Sequence, residues 1–272
     1  MFTALLAVIP LFFFQVPQPE RSDLQPEAQG KSSFWQDFRA GLSYVWGWPG
    51  LMLIGVMATV INFLLTPAFS LLPILITKHF NGQALQLATL ESFYGIGIII
   101  GGLILSAWGG FKRRILTSLM GLLAMGVGCL VMGLLPPSAF VIAVAVGLYL
   151  GIVNPIVNGP LFAAVQAAVA PEMQGRVFTL IGTMAAAMSP LGLIIAGPIA
   201  DKLGVQTWFI IGGIVTGLMG ISSLFIPAIM HFEDGRSAEP AVAEKSVISD
   251  LEQVGEQMVK AAQPNPVEVD YT

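Results

Sequence analysis

Long apolar stretches recur along this chain between Leu51 and Met230 and are interrupted by almost no charged residue. A bilayer core about 30 Å thick is crossed by roughly 20 apolar residues of α-helix, and the chain has six runs of about that length. They lie at about 51–76, 91–109, 115–135, 139–165, 177–200 and 207–230. The pattern predicts an all-α membrane protein in which residues 50–230 form a six-helix transmembrane bundle.

The opening segment 1–16 is also apolar and ends before Pro17. It lacks the basic start and the small-residue cleavage site that a secretory signal peptide requires. Its length of about 16 residues is short for a full crossing. We therefore interpret 1–16 as a partial transmembrane segment, similar to the second half of a helix whose beginning is missing.

Residues 17–49 are predicted to form a cytoplasmic linker. The first part is polar and rich in proline, which is typical of a solvated segment. The second part, FWQDFRAGLSYVWGW, places Phe34, Phe38, Leu42 and Val45 on one helical face. This spacing favours an amphipathic interfacial helix that lies along the membrane. The alternative is a plain connector without lipid contact.

Composition agrees with a lipid environment, since 55% of the residues are hydrophobic, 10% are charged and the mean hydropathy is +0.80. Soluble domains are much more polar. The acidic excess behind the net charge of -4 lies in residues 231–272, which we interpret as an acidic tail. The single cysteine, Cys129, excludes a disulfide or a cysteine metal cluster within one chain and is assigned to packing. We expect no metal site and no cofactor.

Lysine and arginine determine the orientation of membrane helices, because they are enriched on the cytoplasmic side. If the linker faces the cytoplasm, all of these residues except Lys78 and Lys202 fall on that side. The predicted topology therefore places the linker and the tail in the cytoplasm, together with the basic loop at 109–114.

Amide side chains within the spans are the first candidates for a binding site, because polar groups are costly in lipid unless they face protein or water. Asn154 and Asn158 lie on one small-residue face of the fourth span, and Gln166 continues that face. Asn62 lies one turn before Pro67 in the first span. We predict that these four amides line a substrate cavity; hydrogen bonds between helices are the alternative.

Glu91 is the one acidic residue inside or bordering the first four spans. A carboxylate in a low-dielectric environment suits uptake and release of a proton, so Glu91 is the candidate for proton coupling. Its position at the outer end of the second span also fits an ordinary interfacial or helix-starting residue.

Glycine and proline are frequent within the spans. The motifs Gly97-x-x-x-Gly101 and Gly213-x-x-x-Gly217 allow two helix backbones to approach closely. Prolines inside spans free backbone carbonyls, which then need other partners. Helices that bend suit alternating access, although packing alone explains most such glycines.

Several segments together carry a family resemblance. They are the amphipathic FWQDFRAGLSYVW, the loop GGFKRR at 109–114, the stretch from Asn154-Pro155 to PEMQGRVF at 171–178, and GPIAD at 197–201 followed by Gly204. The chain resembles the second half of a major facilitator superfamily transporter, especially the drug and macrolide efflux-like branch. Six spans after a central linker match half of that fold's twelve helices.

The resemblance implies the second half of a secondary active transporter that exports amphiphilic drugs or similar small molecules. Export would proceed by proton antiport and alternating access. The implied partners are membrane lipid, a small-molecule substrate, the proton, and either a missing N-terminal half or a second copy of the chain. The implied location is the inner (plasma) membrane, crossed several times.

The resemblance also implies a gate at the inner side of the bundle. In the family an acid that pairs with the arginines of the basic loop is normally present, but this chain has Ser-Ala-Trp at 106–108 in the corresponding stretch. A pair between Glu172 and Arg176 is the candidate replacement. The candidate gate residues are Lys112, Arg113, Arg114, Glu172 and Arg176.

Other function classes fit the sequence less well. An enzyme is not expected, because the two histidines, His79 and His231, lie in an outer loop and in the tail and no HExxH motif or nucleophile elbow is present. The chain lacks a phosphate-binding loop, and no nucleic-acid partner is expected. The main alternative is a truncated non-transporting remnant or a structural membrane subunit, in which neither the amides nor Glu91 would need to face water.

Overall fold

The computed structural model describes residues 34–233. The chain divides into two compact units, Met1–Gln36 and Asp37–Thr272. Of the first unit only the start of one helix is described, so the fold reported below is that of the second. The predicted partial span at 1–16, the polar start of the linker and the tail beyond residue 233 lie outside the described residues.

Six of the described helices are long and apolar enough to cross a membrane, which confirms the predicted all-α bundle. In chain order the elements are α1 (Phe34–Trp46), α2 (Pro49–Ser70), the short α3 (Leu72–Ile74) continued by a π-helical turn at Leu75–His79, α4 (Ala84–Trp108), α5 (Arg114–Leu134), α6 (Phe140–Ala168), α7 (Pro171–Leu203), α8 (Val205–Leu224) and the short α9 (Pro227–Met230). The six spans are α2 and α4 to α8.

Successive spans run in opposite directions, which gives the bundle two distinct ends. The loop before α5 meets α9 through a hydrogen bond from Arg113 Nη1 to the Met230 carbonyl, 2.9 Å long. We call this the linker end, because α1 joins α2 there. At the other end, His79 Nε2 lies 2.8 Å from the Leu135 carbonyl oxygen. We call this the far end.

The first span ends earlier than the apolar run predicts. Helix α2 stops at Ser70, and a new short helix begins at Leu72. Pro73 lies in the first turn of that helix, where its missing N–H costs nothing, whereas the same proline in a continuous helix would break a hydrogen bond. The predicted span to residue 76 is therefore divided near its far end.

The second span begins earlier than predicted. The side chains of Gln83 and Gln86 form a capping box, in which the Gln83 N–H donates to Gln86 Oε1 at 2.8 Å. The helix therefore starts at Ala84 rather than near residue 91, and Glu91 lies two turns inside it. Two glycines with positive φ mark later boundaries: Gly109, with φ +76°, ends α4 in a left-handed conformation, and Gly204, with φ +88°, separates α7 from α8.

The six spans differ strongly in how much of each lies inside the bundle. In its most apolar window α5 is 61% buried, whereas α4 is 17% and α7 is 11% buried. Helix α5 packs on both α6 and α8, α4 packs on α6, and α7 packs on α2. Helices α4 and α7 are therefore the flanks of the bundle, each with a large face that this unit does not cover.

The first glycine motif lies at the crossing of α4 and α6. A Cβ atom on Gly97 would overlap the Leu148 carbonyl oxygen, and one on Gly101 would overlap the Ile152 carbonyl oxygen. Such close approach of two backbones is possible only without side chains. The predicted packing role of Gly97 and Gly101 is confirmed.

The second glycine motif lies partly at the crossing of α5 and α8. A Cβ on Gly213 would lie 2.5 Å from the Leu130 nitrogen and 2.8 Å from the Gly126 carbonyl oxygen. The Cβ direction of Gly217 is open, although a Cβ on Gly126 would come within 2.5 Å of the Gly217 nitrogen. Of the two motif positions, Gly213 is the one at which the neighbouring helix leaves no room for a side chain.

Two clusters of buried apolar side chains fill the bundle. The cluster toward the far end includes Leu75, Cys129 and Phe209, and the cluster toward the linker end includes Leu51 and Val177; each of these five has 0% exposure. Cys129 is thus a packing residue, as predicted. Because it is the single cysteine of the chain, its reaction with a thiol-reactive dye reports unfolding.

Two neighbouring hydroxyls of α5 give a first stability prediction. Thr117 Oγ1 accepts a 2.8 Å hydrogen bond from the Phe111 N–H, whereas buried Ser118 Oγ has no partner among the described residues. Thr117→Val is expected to lower the free energy of unfolding by about 1–2 kcal/mol, and Ser118→Ala to leave it unchanged or raise it slightly. Thermal unfolding in detergent, followed by dye labelling of Cys129, measures both. A larger loss for Ser118→Ala than for Thr117→Val would contradict the assignment.

Candidate functional site

A partly open cavity of about 640 Å³ lies toward the far end of the bundle. Its walls come from α2, α3, α4, α5, α6 and α8. The volume lies within the range of sites that bind small organic molecules, roughly 300–1,000 Å³. The cavity is therefore large enough for a drug-sized ligand.

Two features of the helices leave space at this position. Gly147 of α6 lines the cavity without a side chain, opposite Leu90 of α4, whose side chain would lie 3.3 Å from a Cβ at position 147. Helix α2 also ends just beside the cavity, at Ser70. A larger residue at 147 would project toward α4 and narrow the space.

Glu91 is the one charged residue among the described residues that line the cavity. The early start of α4 places it inside the helix, and its side chain is exposed. No hydrogen bond or ion pair joins its carboxylate to any residue in the range 34–233. Within the described part of the chain, the cavity thus presents a negative charge that has no partner.

Three aromatic residues, Phe69, Tyr94 and Phe209, line the cavity. Phe69 lies at the centre of this group, with ring centroids 5.9 Å from Tyr94 and 6.2 Å from Phe209, the latter in edge-to-face geometry. Tyr94 follows Glu91 by three residues and therefore lies on the same face of α4. A carboxylate and three aromatic rings consequently share one cavity.

The predicted amides lie elsewhere in the bundle. Asn62 Nδ2 donates to the Ala58 carbonyl at 2.9 Å, and Asn62 Oδ1 accepts from Thr66 Oγ1 at 3.4 Å. Asn158 Nδ2 donates to the Asn154 carbonyl at 3.0 Å. Thr66 lines the cavity, so Asn62 is one hydrogen bond away from it.

None of the four predicted amides is itself among the residues that line the cavity. The side chain of Gln166 is exposed near the linker end of α6, and its backbone carbonyl accepts a 2.8 Å hydrogen bond from Gln174 Nε2. A role for Asn62, Asn154, Asn158 and Gln166 in substrate binding stays a prediction.

The basic loop is braced against neighbouring helices at the linker end. Besides the bond from Arg113 to Met230, Arg114 Nη1 donates to the Ala163 carbonyl at 3.2 Å. The Lys112 side chain is exposed. These contacts attach the loop to α9 and α6.

The carboxylate that meets this loop belongs to Glu233, which is not among the residues predicted from the sequence. Glu233 Oε1 accepts the Ile115 N–H at 2.8 Å, and its Oε2 accepts the Arg114 N–H at 3.3 Å. Both donors belong to the first turn of α5, where a negative charge is favoured by the helix dipole and by the free N–H groups. An acid from the start of the tail therefore caps the helix that follows the basic loop.

The packed bundle extends to residue 233, three residues past the predicted boundary at 230. Phe232 has 1% exposure, and its ring stacks on Trp48 with centroids 4.9 Å apart. At this boundary the sequence shows an aromatic residue directly before an acid, a pattern that is equally compatible with an acidic tail.

The remaining gate residues also lie at the linker end. Arg176 Nη1 is 3.8 Å from the Met173 sulfur, and Gly41 of α1 lies close to Arg176, since its Cβ would be 3.5 Å from the Arg176 Cβ. The last turns of α1 pack on the bundle through Val45, which has 6% exposure, whereas Trp46 is 65% exposed. Pairing of Glu172 with Arg176, and gating by this region, stay predictions.

Residues 34–233 contain no group of three histidine, cysteine, aspartate or glutamate side chains arranged to hold a metal ion. The described lining of the cavity offers one carboxylate, a few hydroxyls and aromatic surface. Such a set can bind a small organic molecule.

Comparison with known proteins finds relatives that are named as efflux proteins. The chain is 32% identical over 181 residues to macrolide efflux protein A of Streptococcus pyogenes, covering 66% of this chain and 45% of the relative. It is 28% identical over 197 residues to the multidrug efflux pump Tap of Mycolicibacterium fortuitum, covering 71% and 46% respectively. The chain spans about half the length of these curated relatives. No solved structure matches it.

A family model described as Major Facilitator Superfamily matches residues 1–193, which is more than half of the chain. The match agrees with the six apolar helices and with the resemblance found in the sequence. The protein is therefore a multi-pass membrane protein that belongs to the Major Facilitator Superfamily.

Proposed function

We propose that this chain acts as the second half of a secondary active transporter that exports amphiphilic drugs or similar small molecules. The observation that carries the proposal is the 640 Å³ cavity with an uncompensated carboxylate inside a bundle of membrane-spanning helices. Two relatives named as efflux proteins support export as the direction and drugs as the substrate class.

Proton antiport is the proposed source of energy. Ionisable groups within membrane spans are rare and usually serve substrate or ion pathways. Glu91 lies inside α4, lines the cavity and has no partner among the described residues. A carboxylate in that position can exchange a proton with water in the cavity, as coupling requires.

A partner is needed to cover the flanks of the bundle and to complete alternating access. Glycines with open space in the direction of their Cβ lie on both flanks: Gly95 and Gly102 on α4, and Gly182 and Gly197 on α7. Small residues on an uncovered helix face permit close approach of another helix. An N-terminal half or a second copy of the chain fits this surface.

We place the complex in the plasma membrane with the linker and tail in the cytoplasm, on the basis of the distribution of lysine and arginine.

Efflux from cells tests the proposal. A fluorescent amphiphilic drug is loaded into cells that express this chain alone, or together with a first half from a related efflux protein, each with and without a protonophore. We expect efflux only with the added half, and we expect the protonophore to abolish it.

In the same cells Glu91→Gln should reduce coupled efflux by about ten-fold or more. Asp201→Asn removes an exposed acid outside the cavity and should leave the efflux rate unchanged.

The alternative is a non-transporting protein, such as a structural membrane subunit. The amide hydrogen bonds within α2 and α6 are compatible with it, because Asn62 and Asn158 find partners in their own helices. No efflux in either setting, despite confirmed membrane insertion of both halves, would favour this alternative and contradict the proposed transport.

A further inference from the structure

We propose that one face of α1 binds the headgroup of an anionic phospholipid in the membrane leaflet at the linker end. This face consists of Arg39, Ser43 and Trp46, which recur at helical spacing and are all exposed. We call it the exposed face. The ligand class is a phospholipid with a net negative charge, such as phosphatidylglycerol. Such binding requires no transport, so the inference goes beyond the proposed function and does not rest on it.

The opposite face of α1 is occupied by the bundle. Val45 has 6% exposure, and Leu42 packs against the cluster of buried apolar side chains toward the linker end. The Ala170 N–H, directly before α7, donates to Tyr44 Oη at 3.5 Å. These contacts fix the rotation of α1 about its own axis. The exposed face is therefore held away from the bundle.

The connection to α2 places the exposed face at the membrane surface. Trp46 precedes Pro49, the first residue of the membrane-spanning helix α2, by three positions. Three residues of chain reach at most about 11 Å, and the headgroup layer on each side of a bilayer is roughly 5–8 Å thick. The side chain of Trp46, which is 65% exposed, therefore lies close to the headgroups, where tryptophan is enriched in membrane proteins.

Two hydrogen-bond donors on the exposed face have no partner within residues 34–233. No described residue accepts a hydrogen bond from the Trp46 indole N–H, and none pairs with the Arg39 guanidinium. A phosphate group accepts hydrogen bonds from both donors, and an arginine can bind two phosphate oxygens at once. The apolar part of the indole ring contacts acyl chains at the same time. A phosphate that carries acyl chains therefore uses more of this face than a free anion would.

The charge at the linker end favours an anionic lipid over a neutral one. Gly41 of α1 lies beside Arg176, since a Cβ on Gly41 would be 3.5 Å from the Arg176 Cβ. The described side chains at this end include five cations and two acids. The cations are Arg39, Lys112, Arg113, Arg114 and Arg176, and the acids are Glu172 and Glu233. Each lysine or arginine near a membrane surface favours anionic lipid by about five-fold.

Tryptophan fluorescence in lipid nanodiscs tests the proposal. The full chain is reconstituted with phosphatidylglycerol as the minor lipid and phosphatidylcholine as the major one. One set of discs carries a bromine quencher on the phosphatidylglycerol chains, and the other carries it on an equal amount of phosphatidylcholine. The signal of Trp46 is the difference between the unaltered chain and Trp46→Phe. We expect about five-fold preferential occupancy by phosphatidylglycerol beside Trp46, seen as stronger quenching. Equal quenching by the two lipids would overturn the proposal.

A charge variant locates the site. Arg39→Gln keeps a polar side chain but removes the charge, and it should reduce the preference for phosphatidylglycerol by about five-fold. Lys202→Gln removes the same charge from an exposed position at the far end and should leave the preference unchanged. Dye labelling of Cys129 checks that each variant is folded. A folded Arg39→Gln protein with an undiminished preference, or an equal loss with Lys202→Gln, would overturn the proposal.

Two additions separate the lipid from other occupants of the exposed face. Inorganic phosphate is added and compared with chloride at the same ionic strength. We expect phosphate to leave the quenching of Trp46 unchanged; displacement of the lipid by phosphate would indicate a site for a free anion and overturn the proposal. A first half from a related efflux protein is then reconstituted with the chain. Loss of quenching by both lipids would show that protein covers this face, and it would overturn the proposal as well.

Discussion

Gly101→Val is expected to destabilise the bundle strongly and to lower its folded fraction. A Cβ at this position would overlap the Ile152 carbonyl oxygen, and backbone atoms cannot rotate aside as a flexible side chain can. Helices α4 and α6 would have to separate along the crossing that also holds Gly97. We expect a loss of at least about 3 kcal/mol, which is a large part of a typical total stability of about 5–15 kcal/mol.

The neighbouring Gly102 supplies a matched control, because its Cβ direction has nothing within 4 Å. Gly102→Val adds the same side chain to the same helix and should leave the chain folded. Size-exclusion chromatography of fluorescent fusions measures the folded fraction directly from membranes. If the two valine variants behave alike, the crossing of α4 and α6 is not as close as the structure shows.

The number and type of helices were predictable because lipid allows few solutions. A chain crossing a bilayer must satisfy every backbone group internally, so each long apolar run becomes a helix. The ends of the helices were less predictable, because hydropathy does not detect the specific side-chain contacts that start or stop a helix. The capping box at Gln83 and Gln86 extends α4 past the polar residues before Glu91, and Pro73 divides the first run.

The candidate site was predicted in part. An acid within a span is costly in lipid, and for this reason the sequence alone marks Glu91 as a candidate; its role in proton coupling stays a prediction. The cavity beside it depends on Gly147 and on the end of α2 at Ser70, which involve contacts between helices distant in sequence. Periodicity places Asn154 and Asn158 on a common face, but it does not identify which neighbour that face meets.

The cap on α5 shows a second limit of prediction from sequence. Glu233 reaches the Ile115 N–H across 118 positions of sequence, and no local pattern connects the two residues. An acidic residue at the start of a charged tail is normally assigned to solvent. The burial of Phe232 against Trp48 is what brings this carboxylate to the helix end.

Trp208→Ala is expected to be the most destabilising single truncation near the cavity. Trp208 has 2% exposure, its indole N–H donates to the Leu64 carbonyl, and its ring lies edge-to-face with Phe63, centroids 6.4 Å apart. Removing the ring leaves a void between α8 and α2 and should lower the free energy of unfolding by about 3–5 kcal/mol. Thermal unfolding monitored through Cys129 measures the loss.

Two further variants separate packing from the hydrogen bond. Trp208→Phe keeps most of the volume and loses the N–H donor, so we expect a loss of about 1 kcal/mol. Trp46→Ala removes the same side chain at a position that is 65% exposed, and its effect should stay within about 0.5 kcal/mol. Unchanged stability of Trp208→Ala would show that α8 is positioned by its glycine contacts with α5 alone.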